Sequence, residues 1–209
     1  MKIAVIAANG RTGQAFVELA LAKGHVVRAG VHNKSYLRPH PQLTVVPCDA
    51  TSEADIRNLL AAQDVVISFI GHVKKSSPDV QTIAIQKIIH VMKELGLRRI
   101  VSLTGTGVRF PGDKISLVDR LLNISIAMVD PSRVKDGRDH VEALKQSELD
   151  WTVIRVLKLQ NTPPKPFVLS EYGPTKWYVG RQEVALAALQ VLEQKSFIGQ
   201  APMMTDFKA

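Results

Sequence analysis

A doubly wound α/β fold on a parallel sheet, in a single domain, is what this sequence predicts, and three observations predict it. The apolar run Ile3-Ala4-Val5-Ile6 passes without a break into Ala7-Ala8-Asn9-Gly10-Arg11-Thr12-Gly13, and an amphipathic helical pattern follows from Gln14. Short β-rich runs then alternate with longer segments of helical period, as parallel strands joined by crossover helices require. Finally, Asp64-Val65-Val66-Ile67-Ser68-Phe69-Ile70-Gly71 is apolar almost throughout, the mark of a strand covered on both faces.

The elements follow in order. The first helix, Gln14 to Lys23, turns Phe16, Leu19, Ala20 and the stem of Lys23 inward, and Gly24 ends it. Strand two is His25 to Val31 and strand three Leu43 to Val46; Asp49 then either caps the next helix, Glu53 to Ala62, or meets an adenine amino group. After the strand at 64–71 comes a helix from Asp79 to Leu95 with Val80, Ala84, Ile88, Val91 and Leu95 inward and His90 in solvent. Strand five, Arg99 to Leu103, leads to Thr104-Gly105-Thr106-Gly107. Helices are expected over Ile115 to Met128, bordered by loops at Pro111-Gly112 and Pro131, and over Gly137 to Ser147. Strand six is Trp151 to Val156, and a helix from Arg181 to Leu192, with Val184, Ala188 and Val191 inward, closes the pattern. Regions 108–135 and 157–180 break the alternation; the second holds Pro163, Pro164, Pro166, Gly173 and Pro174 and reads as a lid beyond a strand's carboxyl end.

Composition bounds the function. With 209 residues, 45% of them hydrophobic, the chain has enough apolar side chain for one core. The lone Cys48 rules out an internal disulfide framework and fits a reducing cytoplasm, the expected compartment. No apolar run approaches the roughly 20 residues that span a bilayer, and the first residues read as a strand and not as a signal peptide. The net charge of +8 suits an anionic ligand. Nucleic acid is not expected, because basic residues are interspersed with acids, the longest basic runs are the pairs Lys74-Lys75 and Arg98-Arg99, and aromatics reach only 5%. The histidines and Cys48 show no metal-ligand spacing, and no Gly-x-Ser-x-Gly elbow is present.

The strand, glycine turn and helix at the start point to a bound nucleotide. Such a turn leaves backbone N–H groups at the helix N-terminus free to meet a phosphate. Asn9, Gly10, Arg11, Thr12 and Gly13 are therefore expected to bind a dinucleotide, with Asp49 and Ala50, Ile70 and Gly71, and Leu103, Thr104 and Gly105 lining its path at the carboxyl ends of later strands. At the tip of strand two an Asp or Glu would bind the ribose 2′-hydroxyl of NAD. This chain has His32, Asn33 and Lys34 there, with Arg11 in the turn, which favours a 2′-phosphate and hence NADP(H) over NAD(H).

With these pieces in place the chain resembles the atypical short-chain dehydrogenases of the NAD(P)H-binding, NmrA-like group, a Rossmann-fold family that includes NADH-flavin reductases and biliverdin/flavin reductases. The resemblance spans nearly the whole length and rests on Ala7 to Gly13, Cys48-Asp49, Ile70-Gly71, Arg99-Ile100-Val101-Ser102-Leu103-Thr104 and, most of all, Leu144-Lys145-Gln146-Ser147-Glu148-Leu149-Asp150-Trp151-Thr152-Val153-Ile154-Arg155. Two departures stand out. Ala7 occupies the place of the family's first glycine, and the window in which many relatives carry Tyr-x-x-x-Lys reads Arg133-Val134-Lys135-Asp136-Gly137, without tyrosine.

Carbonyl reduction needs a proton donor beside the oxygen that gains charge. A flavin or quinone delocalises that charge and asks less of the protein, so a planar acceptor is expected; a non-catalytic NADP(H) sensor that binds another protein is the alternative. No catalytic residue is assigned. Thr104 or Thr106 either orients an acceptor or only satisfies the turn; Lys135, Arg138 and His140 precede or lie in a helix near the cleft, His140 either as a general acid or as a surface or capping residue; and Tyr172, Lys176, Trp177 and Tyr178 either stack on a substrate or pack the lid.

Overall fold

In the computed structural model, which describes residues 1–73 and 76–206, the alternation is realised as one doubly wound sheet. The pair Lys74-Lys75 lies outside the described residues. β1 (Lys2–Ile6), β2 (Val26–Val31), β3 (Leu43–Pro47), β4 (Val65–Ser68), β5 (Arg99–Gly105) and β6 (Asp150–Val156) are parallel. The sheet continues past β6 with β10 (Met203–Asp206), parallel to it, and ends with β8 (Phe167–Ser170), antiparallel to β10, giving the order β3-β2-β1-β4-β5-β6-β10-β8. A small separate ribbon pairs β7 (Leu159–Gln160) with β9 (Val179–Gly180).

Strand periodicity divides the core between the two faces. Ile3 and Val5 of β1 pack with Phe16, Val17 and Ala20 of α1 (Arg11–Ala22) and with α6 (Arg181–Glu193), where Val184, Ala188 and Val191 point inward as expected. Ala4 and Ile6 face α2 (Glu53–Leu60), α3 (Val80–Glu94) and α5 (Pro131–Lys145). The remaining helix, α4 (Leu117–Val129), buries only Asp119.

Several expectations shift. α1 begins at Arg11, because the glycine turn itself delivers the first helical residue, and Lys23 is exposed. Ser52, and not Asp49, caps α2 by accepting from the N–H of Asp55. Leu95 lies beyond the end of α3 and is exposed, while Ile85 and Met92 take inward places. Pro131, read as a loop border, is the first residue of α5, where its missing N–H costs nothing. Within 157–180, residues Phe167–Ser170 are sheet and not lid, paired with a strand for which the alternating pattern gave no signal.

Candidate functional site

The β1–α1 turn is shaped by close backbone approach. Ala7 adopts φ +58°, the left-handed region that glycine occupies at no steric cost. The N–H of Gly10 donates to the carbonyl of Ala7 at 3.1 Å, and Gly10 opens α1 with no side-chain cap. A Cβ on Gly13 would stand 2.5 Å from the Ala7 oxygen and 2.7 Å from that of Ala8, both rigid backbone, so only glycine lets the helix start this near the strand. The first-turn N–H groups of Arg11, Thr12 and Gly13 have no carbonyl one turn earlier in the helix to bond. An uncapped, glycine-lined helix start of this kind fits a dinucleotide phosphate.

The side chains around the turn divide into two groups. Asn9 is a brace: its Nδ2 donates to the carbonyl of Lys34 and its Oδ1 accepts from the N–H of Tyr36, both at 2.9 Å, so it fixes the loop beyond β2 instead of reaching free toward a ligand. His32, Asn33 and Lys34 are all exposed on that loop. Asp49 approaches it from β3, its Oδ2 3.8 Å from His32 Nε2, so an acid does reach the tip of β2, supplied by the neighbouring strand. The backbone and hydroxyl of Thr51 both donate to Asp49 and, with His32 adding a smaller pull, hold its pKa below the usual carboxylate range.

Arg11 is placed elsewhere. Its side chain lines a cleft of about 490 Å³ with Gln14, Glu18, Asn161 and Arg181, and none of His32, Asn33 or Lys34 lines that cleft. Arg11 lowers the pKa of Arg181, second to burial as a cause. Of the remaining expected residues, Ala50 packs half-buried against the core, Ile70 offers its carbonyl to Gln81 Nε2 at 2.8 Å, and Gly71 is exposed with open space around it.

A second pocket, of about 200 Å³, opens at the carboxyl ends of β5 and β6. Thr104 and Gly105 line it; Leu103 points instead into the core. Thr106 lines it too, but its hydroxyl is spent, donating to Asp119 and accepting from Asn123 at 3.0 Å each. Arg109 completes this cluster with two bonds of 3.0 Å to the fully buried Asp119 carboxylate. The far walls are Ile126, Arg133, Val134 and Leu157.

His72 and Asp136 are the functional candidates that sequence reasoning missed. His72, nearly buried, lines the pocket with Nε2 2.9 Å from Asp136 Oδ2, though out of line for a hydrogen bond. Asp136, on α5, also accepts from the N–H groups of Gln81 and Thr82 at 2.9 and 2.8 Å, capping α3, which lacks a cap of its own. The two residues stand far apart in sequence and neither belongs to a motif, so no spacing signal exposes them.

The other catalytic options lie away from this pocket. His140 is fully buried, its Nε2 3.0 Å from Ser102 Oγ, and burial pushes its pKa down to about 4, so it is neither a general acid at neutral pH nor a surface group. Lys135 is exposed and paired with Asp139 at 2.5 Å, and Arg138 is exposed. Lys176 is buried on Glu183 at 3.1 Å, packing the late loop down. The Tyr172 ring covers Gly112, and Trp177 and Tyr178 meet edge-to-face at 5.7 Å beside a different pocket. Among the described residues no cluster suits a metal ion, and no helix is long and apolar enough to cross a membrane.

Comparison with known proteins bears on the fold and the family. Solved structures of similar fold include a short-chain dehydrogenase/reductase from Veillonella parvula DSM 2008 in complex with NADP (17% identity, TM-score 0.83, covering 98% of this chain and 94% of that one). An anaerobillin reductase from Escherichia coli O157:H7 matches at 18% identity and TM-score 0.79 over 100% of both chains. A protein of Streptococcus pneumoniae, provisionally named an NADH-flavin reductase, matches at 22% and 0.77 over 99% of this chain and 100% of its own. At these identities the likeness is one of fold. A family model described as NAD(P)H-binding matches residues 7–195, from the glycine turn through α6, and the chain therefore belongs to that NAD(P)H-binding family.

Proposed function

We propose that the protein is an NADPH-dependent reductase that serves a planar acceptor of the flavin or quinone type in the pocket at the ends of β5 and β6. The observation that carries this reading is the pocket's lining. It combines apolar walls, Ile126, Val134 and Leu157, with Thr104 and His72, and none of the chain's tyrosines lines it. A bound nicotinamide would supply a hydride, so the acceptor gains that hydride and one proton in each turnover. Thr104 orients the acceptor, the apolar walls exclude water, and His72, set against Asp136, holds the proton. The preference for NADPH rests on His32, Asn33 and Lys34 at the tip of β2, opposed by Asp49 beside His32; Arg11, expected from the sequence to join them, lines the other cleft and has no part in it.

Turnover and binding test the reading separately. NADPH should bind more tightly than NADH, and Lys34→Glu should remove the difference; equal affinities, unaltered by that change, would sink the NADP assignment. NADPH oxidation should require an added flavin or quinone. His72→Gln should lower kcat on the order of 100-fold while leaving NADPH affinity in place. Intact NADPH binding with no turnover across a broad acceptor panel would favour a cofactor-reading sensor instead.

A further inference from the structure

α4 is inside out. A surface helix ordinarily turns an apolar stripe to the core and polar residues to water. Here the inward contacts are polar: Asp119 is held by Thr106 and by Arg109, and Asn123 bonds Thr106 and the Asp119 carbonyl. The outward face is apolar, with Leu117 78% exposed, Leu121 64%, Ile124 49% and Met128 80%, and with Leu122 and Val129 exposed beside them.

We propose that this face is covered by the α4 of a second copy of the chain, packed antiparallel about a two-fold axis. Leu117, Leu121, Ile124 and Met128 recur at spacings of four, three and four, the period of a helix–helix seam. An antiparallel two-fold pairing centred on the helix sets Leu117 opposite Met128 and Leu121 opposite Ile124, so large apolar groups meet large apolar groups throughout. The same register sets Arg120, the one exposed charge on α4, opposite Ser125 of the other copy, so no like charges meet. Leu117, Leu121, Ile124 and Met128 form one continuous apolar strip along the helix, and Leu122 and Val129, each one residue on from a seam position, flank it.

A lipid surface fits less well. An interfacial helix carries a cation-rich polar face, whereas α4 has Arg120 alone and spends its polar face on its own fold. The second copy also bears on the pocket, because Asn123 and Ile126 line it from the opposite side of the same helix. Pairing would therefore brace one pocket wall.

Sedimentation velocity on the full chain from about 1 to about 100 µM tests this, with the weight-average mass reporting a monomer–dimer equilibrium over that window. The expected result is a dimer that the double variant Leu121→Glu/Ile124→Glu dissociates, with an unchanged circular-dichroism spectrum and retained NADPH binding showing that the fold survives and a lower thermal midpoint as the dimer's stabilisation is lost. A second variant, Arg120→Glu, should leave the dimer in place, since it faces Ser125. A monomeric wild type over the whole range overturns the proposal, as does a dimer that survives Leu121→Glu/Ile124→Glu. Co-sedimentation of monomeric wild type, but not the double variant, with phosphatidylserine-containing vesicles would overturn it in favour of a membrane surface.

Discussion

At the scale of single residues, His140 shows what burial does to a titratable group. Its pKa falls from 6.5 to about 4 because the buried imidazole cannot be hydrated when charged, and the neighbouring Asp136 offsets only part of that. Between those two values the unfolded chain takes up a proton that the native state refuses, so stability falls as pH drops through the window and is unaffected above it. The full effect is about 3 kcal/mol. Urea unfolding at pH 7 and pH 5 should show a larger acid-side loss for wild type than for His140→Gln; equal losses would contradict the assignment. The position was legible in part. Gly137, His140, Val141 and Leu144 share the buried face of α5 at helical spacing, but a histidine there also reads as a general acid, a surface group or a cap. Ala7 was harder. Its identity suggested an ordinary strand end, and only the backbone shows an alanine held at φ +58° where glycine would be free of strain.

At the scale of elements, the contact between α5 and β5 turns on Gly137. Glycine inside a helix is unfavourable by about 1 kcal/mol relative to alanine, yet a Cβ here would stand 2.9 Å from Thr104 Oγ1 and 3.3 Å from Val108 Cγ2. The clash outweighs the propensity, because Thr104 is β-branched and its own strand fixes it. Gly137→Ala should therefore destabilise by about 1–2 kcal/mol. Adding Thr104→Ala should recover most of that loss in a double-mutant cycle, and additivity of the two changes would refute the contact. The helices and parallel strands were legible because their periods are local properties of the sequence. What was not legible is how they dock: Asp136 of α5 caps α3, and α4 is held by a polar cluster, arrangements set by residues that no local pattern links.

At the scale of the whole molecule, Arg155 ties the late segments to the sheet. Wholly buried in β6, it pairs with Asp113 at 2.6 and 2.8 Å and donates to the carbonyls of Val108, Glu171 and Ala201. Arg155→Met strands the buried Asp113 carboxylate and should cost about 3–5 kcal/mol, whereas Arg155→Met/Asp113→Leu removes both charges and should cost less. Thermal unfolding of the two variants checks the ordering, and a double variant less stable than the single one would contradict it. Arg155 was visible in the sequence as part of a family segment, but its partners lie on loops whose positions depend on the complete sheet. The sheet order itself carries a consequence for synthesis. β8 emerges from the ribosome well before β10, yet β10 is its neighbour in the sheet and must first dock beside β6. Until Asp206 has cleared the exit tunnel, Phe167–Ser170 has no strand to join and the outer edge of β6 stays open. A nascent chain with β6 outside the ribosome and β10 still inside it would therefore carry a parallel sheet with an unfinished rim, the stage at which a chaperone would have most to hold.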